Sequence, residues 1–101
     1  VVATEFGRTV AVNGTRGTDH GTGAAAFVLG GAVRGGRILA DWPGLAPEAL
    51  FEGRDLRPTT DLRSVFKTVL RDHLQVSQRH IDREVFPEAQ SVPFLADLVA
   101  G

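Results

Sequence analysis

Apolar and polar positions alternate too little in the first third of the chain for an amphipathic element. Instead, short apolar runs stand between glycines. Val1 to Thr4 is apolar and β-branched, which predicts a buried strand. The run "TVAV" at 9–12 reads as a short extended arm, ended by Asn13-Gly14, a tight-turn pair. "AAAFVLG" at 24–30 suits a second buried strand; its alanines also suit a helix, but Phe27, Val28 and the glycines that follow favour the strand. "AVRGGRIL" predicts a hairpin at Gly35-Gly36, and "LFEGRDLRP" a second one at Gly53. The loop "DWPGLAPEAL" between them carries Trp42, expected to cover the edge of a core.

Helical periodicity begins at residue 60. Leu62, Val65, Phe66, Val69 and Leu70 fall on one stripe at 100° per residue, and Thr60 or Asp61 can cap its start. Arg63, Lys67 and Arg71 recur four apart on another face and read as solvated. "DREVFP" predicts a short helix stopped by Pro87. "SVPFLADLVAG" predicts a last one, with Ser91 as cap, Pro93 in the first turn and Gly101 at the exit. Strand, loop, strand, hairpins, then helix argues for an α/β or α+β piece.

Composition narrows the function classes. The chain has 101 residues, enough for one domain or part of one. It opens "VVAT", without an initiator methionine and as if inside a strand, so residues 1–101 are expected to be a single partial domain cut from a longer chain. A net charge of -1, from 11 basic and 12 acidic residues, gives no nucleic-acid footprint. Without cysteine there is no disulfide frame and no thiolate chemistry. No apolar run reaches the length of a membrane span, and none has the form of a signal peptide.

The chemistry-bearing stretch is "GTRGTDHGTG", where Asp19 and His20 stand side by side among glycines. A turn with capping roles is one reading. The other is half of a metal site, because carboxylate oxygen and imidazole nitrogen both ligate divalent ions. Neighbours on a strand point to opposite faces, so one ion could be gripped only if Gly17, Gly21 and Gly23 allow a sharp turn, or if each residue serves one ion of a pair. Glu5, at the end of the first predicted strand, could accept a proton or bind a cation, and Arg8 could hold an anionic oxygen; alternatively the two pair with each other. Arg16 is a weaker oxyanion candidate. His73, within 20° of Leu62 around the helix, is expected to be packed and hydrogen-bonded, and His80 exposed. There is no readable Ser-His-Asp triad, phosphate loop of the GxxxxGK type or GxGxxG motif.

"TEFGRT", "GTDHG", "GGAVRGGRI", "DWPGL" and "TTDLRSVFKTVL", in that order, resemble the carboxyl-terminal part of DUF1501 proteins, a family of unknown function related to the alkaline phosphatase and sulfatase superfamily. The resemblance implies an α/β fold: a C-terminal fragment of an alkaline phosphatase-like sheet with flanking helices and short hairpins. It implies that Asp19 and His20 help hold divalent metal ions, zinc or manganese, with further ligands from outside this chain. It places Glu5 and Arg8 in an "EFGR" signature near the same site. The partners it implies are the remainder of the parent chain, with the nucleophile, and a small anionic ester. The expected function is part of a metal-dependent phosphate or sulfate ester hydrolase, exported or periplasmic. The alternative is a non-catalytic exported scaffold or binding protein, favoured by the lack of a histidine between His20 and His73.

Overall fold

Among the described residues only two pairs form a regular strand ladder. In the structure, a computed structural model describing residues 1–100, β1 (Gly7–Arg8) pairs antiparallel with β2 (His20–Gly21). A 3-10 turn follows at Pro47–Ala49, then helix α1 (Leu62–Asp72). Helix α2 (Gln78–His80) runs into a π-helical turn at Ile81–Val85. The chain divides into two compact units: Val1–Val28 with Leu39–Thr59, and Leu29–Ile38 with the chain from Thr60 onward.

The expected alkaline phosphatase-type sheet is not what forms. The fold is a small mixture of helix and short hairpins with an open two-stranded sheet. Both predicted strands, 1–4 and 24–30, exist only as one antiparallel bridge, Val2 to Phe27, closed by two N–H···O bonds of 2.8 Å. The physical reason lies between them. Parallel strands need a crossover of a dozen or more residues, usually a helix, with both faces of the sheet covered. Here the intervening chain is a hairpin and a glycine-rich loop, which returns it antiparallel. Val2 and Phe27 stay more than half exposed.

The first unit has no buried apolar side chain among its described residues. Gly7, Thr9, Gly23 and Asp55 are its buried positions, so its interior is backbone and polar groups. The hairpin predicted at Gly53 is present. Phe51 and Asp55 exchange backbone hydrogen bonds of 2.8 and 3.0 Å, and Glu52 and Gly53 take the positive φ that the turn needs. Trp42 does not cover a core; it is exposed.

In the second unit, Asp61 caps α1 by accepting from the Arg63 N–H at 2.9 Å, as the sequence suggested. The helix ends where Gln75 takes a left-handed φ of 60° and the N–H of Val76 reaches back to the Leu70 carbonyl. Its fully buried positions are not those of the expected stripe. Ser64, Lys67 and Thr68 are buried, while Leu62, Val65, Phe66, Val69 and Leu70 are half-buried.

Lys67 is fully buried and satisfied on several sides. Its ammonium donates to the carbonyls of Ala89 (2.8 Å) and Val92 (2.9 Å), pairs with Asp82 at 3.2 Å and lies 4.8 Å from the Phe94 ring centre. Arg71, also expected to be solvated, stacks 3.9 Å over the same ring and pairs with Asp72. Thr68 accepts the Leu95 N–H at 2.8 Å. The predicted last helix at 91–101 is not helical over its described residues; without a helix to bond it, the Val92 carbonyl accepts from Lys67. Ile81, Ala89 and Leu98 complete this small core. His73, expected to be packed, is exposed, as is His80. The hairpin predicted at Gly35-Gly36 is also absent: Val33 bridges Val99 instead.

Replacing Lys67 removes the donor of the Val92 carbonyl, one of the two donors of the Ala89 carbonyl and the counter-charge of Asp82. Lys67→Met should therefore lower the unfolding free energy by roughly 3 kcal/mol in urea titration, the scale for one partner lost from a buried pair. A loss below about 0.5 kcal/mol, that of an ordinary surface change, would show that the ammonium is not structural.

Candidate functional site

Glycine brings the site together. A Cβ on Gly21 would stand 2.6 Å from the carbonyl carbon of Arg8, and one on Gly7 or Gly23 would drive into the backbone of Gly23 or Leu56. The 20–23 arm can lie on residues 7–9 only because Gly7 and Gly21 carry no side chain, and on Leu56 only because Gly23 carries none. Gly7 then faces Gly21, and Arg8 faces His20 across the ladder. Further bonds fix the register: Thr9 N–H to the Asp19 carbonyl at 3.0 Å, Asp19 N–H to Thr9 Oγ1 at 3.1 Å, and Arg8 N–H to the Gly23 carbonyl at 3.3 Å.

The result is an open cleft of about 480 Å³, lined by Glu5, Phe6, Arg8 and His20 with Thr4 and the small residues Gly7, Gly23, Ala24 and Ala25. The Phe6 and His20 rings stack with centroids 4.5 Å apart and planes 5° from parallel. Among the described residues Glu5 and Arg8 form no ion pair with each other, so the bracing role is not taken up. Both are exposed to the cleft's solvent. Arg16 is elsewhere, in the 13–17 loop with a φ of 65°, and does not line the cleft.

Asp19 does not line the cleft either. Its carboxylate accepts from the Asn13 amide at 3.0 Å. Asn13 organises the loop before it: its Oδ1 accepts from the N–H groups of Thr15 (2.9 Å) and Gly17 (3.0 Å) and from the Thr15 hydroxyl (2.8 Å). The adjacent pair is thus divided, His20 in the cleft and Asp19 on the loop.

Behind the arm lies a group that the sequence pattern did not single out. Asp55 is 1% exposed. Its Oδ2 accepts the Thr22 hydroxyl at 2.8 Å, and its Oδ1 accepts from Arg54 Nε at 3.1 Å. The Thr22 hydrogen bond, then Arg54, holds the Asp55 carboxyl below the usual carboxylate range, against the opposing effect of burial. Phe6 was visible within "EFGR" but had no chemistry to mark it. Asp55 was visible only as a turn residue, and no local signal links it to Thr22, 33 positions away.

The family described as "Protein of unknown function (DUF1501)" matches residues 1–86. The chain belongs to that family. No curated protein and no solved structure matches it. In this DUF1501 chain the expected zinc or manganese centre is not built. Among the described residues no three His, Cys, Asp or Glu side chains gather to hold an ion. The reason is local: the ladder sends Asp19 and His20 to different surroundings, Asp19's carboxylate is engaged by Asn13, and His20 is stacked on Phe6. Among the described residues no helix is long and apolar enough to cross a membrane.

Two outcomes follow. Gly21→Ala should cost roughly 1–3 kcal/mol and remove the ring-current shift of the His20 imidazole protons, whereas Gly14→Ala, with open space around it, should stay within about 0.5 kcal/mol. Equal effects in NMR and urea titration would refute the close-approach account. Asp55 sets an acid limit: because its folded pKa is lowered, its contribution is complete above about pH 4 and is lost as pH falls through the folded value. Stability measured against pH should fall less below pH 4 in Asp55→Asn than in the wild type.

Proposed function

We propose that this chain supplies the anion-holding part of a phosphate or sulfate ester hydrolase, with the cleft of Glu5, Arg8 and His20 as the binding site. The observation that carries this is the shared cleft: the ladder sets Arg8 opposite His20, and Glu5 lines the same walls. Arg8 offers a planar fork of donors suited to two oxygens of one anion. His20, with its ring supported by Phe6, offers a further donor. Glu5 is the one carboxylate in the lining, available to take a proton; its charge opposes an anion, so Arg8 must dominate the affinity.

The motif Asp19-His20-Gly21 supports kinship of the family to the alkaline phosphatase and sulfatase superfamily, and that kinship is part of the same proposal. It rests on motif resemblance, not on a shared sheet. The nucleophile is assigned to the remainder of the parent chain, and an exported location to the family resemblance. The exposed, open form of the cleft equally favours a second role, a binding protein that holds an anionic ester without turning it over.

The test is titration of the chain with inorganic phosphate and sulfate, followed through the His20 ring signals. Saturable shifts are expected, with Arg8→Ala weakening binding roughly tenfold, the scale of one charge-assisted hydrogen bond. Shifts that never saturate, or that are unaltered in Arg8→Ala, would overturn the proposal. Turnover of an aryl phosphate or sulfate by the parent chain then separates hydrolase from binding protein.

A further inference from the structure

We propose that Asp55 and Thr22 form a positioning pair that fixes how His20 is presented to the cleft. This rests on the cleft being the binding site, but its geometry stands apart from any ligand. His20 and Thr22 lie on the same short arm, two positions apart. The arm's regular pairing with β1 is only two residues long, and the His20 side chain itself is exposed. The backbone bonds of Asp19 and Gly23 extend that pairing at either end and Phe6 supports the ring, but a ladder that short gains from a further side-chain hold on the arm.

That hold is the Thr22 hydroxyl, which donates to Asp55 Oδ2 at 2.8 Å. Thr22 is outside the cleft lining, so this bond acts on His20 through the backbone and not through the ligand. Asp55 is itself buried and tied down. Its backbone is locked in the 51–55 turn by two hydrogen bonds to Phe51 and bridges Thr9, the residue after β1. The strand that carries Arg8 and the arm that carries His20 are therefore referenced to the same residue. Gly23 completes the seat, since its missing side chain lets the arm rest on the backbone of Leu56. Arg54, which donates to Oδ1 at 3.1 Å and more distantly to Oδ2 at 3.4 Å, is 61% exposed and contributes less to the placement.

A merely stabilising role makes a different prediction from a positioning one. Thr22→Val keeps the carboxylate and the exposed side-chain volume but removes the donor. In the folded protein it should shift the His20 ring protons toward free-histidine values, as the stack on Phe6 loosens. It should also weaken inorganic phosphate binding by roughly three- to tenfold, the worth of one hydrogen bond. Asp55→Asn, turned so that its amide oxygen accepts from Thr22, should retain the wild-type ring shifts, and Asp55→Ala should lose them. If the folded Thr22→Val protein keeps both the ring shifts and the phosphate affinity, the pair is structural only and the proposal is wrong. If Asp55→Ala does not fold, Thr22→Val decides alone. If the wild type binds no phosphate, the anion-site reading fails, and the ring shifts still decide the positioning.

Discussion

Backbone lies on backbone where Gly7, Gly21 and Gly23 meet, and the first unit follows from that approach. With a side chain at Gly7 or Gly21 the 20–23 arm would stand off from residues 7–9, and with one at Gly23 it would stand off from Leu56. The ladder would open, Arg8 and His20 would cease to be cross-strand neighbours, and the walls of the cleft would separate. The glycines crowded around Asp19 and His20 are therefore not a flexible tether. At 21 and 23 they are the condition for two segments to touch, whereas Gly14 has open space around it and meets no such demand.

How much of this could be read from the sequence depends on the range of the interaction. The Asp61 cap, the course of α1 over its first residues and the turn at Gly53 were legible, because each is decided within a few positions. Glu5, Arg8 and His20 were legible as candidates by chemical type, and the structure brings these three to one cleft and leaves Asp19 out. The direction of pairing was not legible. Apolar runs at 1–4 and 24–30 say that two segments prefer extension, but not which direction they meet in, and the hairpin between them settles that. Nor does a 3.6-residue stripe say which side of a helix will be covered. The stripe of α1 is real, yet the partner segment at 89–95 presents carbonyls that engage Lys67 and the Leu95 N–H that engages Thr68.

Both units are organised by a buried polar group in place of a large apolar core. In the first it is Asp55, answered by a hydroxyl and a guanidinium. In the second it is Lys67, answered by two carbonyls, a carboxylate and a ring face. Only three apolar side chains are fully buried among the described residues, and the α1 stripe is half-buried, so no large enclosed apolar core forms here. Hydrogen bonds to charged groups carry more than neutral ones, but they also demand geometry, since an unanswered partner is costly.

That demand links stability to the cleft. An apolar core tolerates small displacements with a gradual loss, because dispersion and hydration have no direction. A carboxylate gripped by one hydroxyl at 2.8 Å has a direction, and it fixes where the arm beyond that hydroxyl can be. A unit that holds its fold through Asp55 thereby holds His20 at a defined place opposite Arg8 without spending cleft-facing side chains on the task. Glu5, Arg8 and His20 remain exposed and free to meet a ligand, while the groups that place them lie behind. In a chain with so little apolar core, the same bonds serve as scaffold and as alignment.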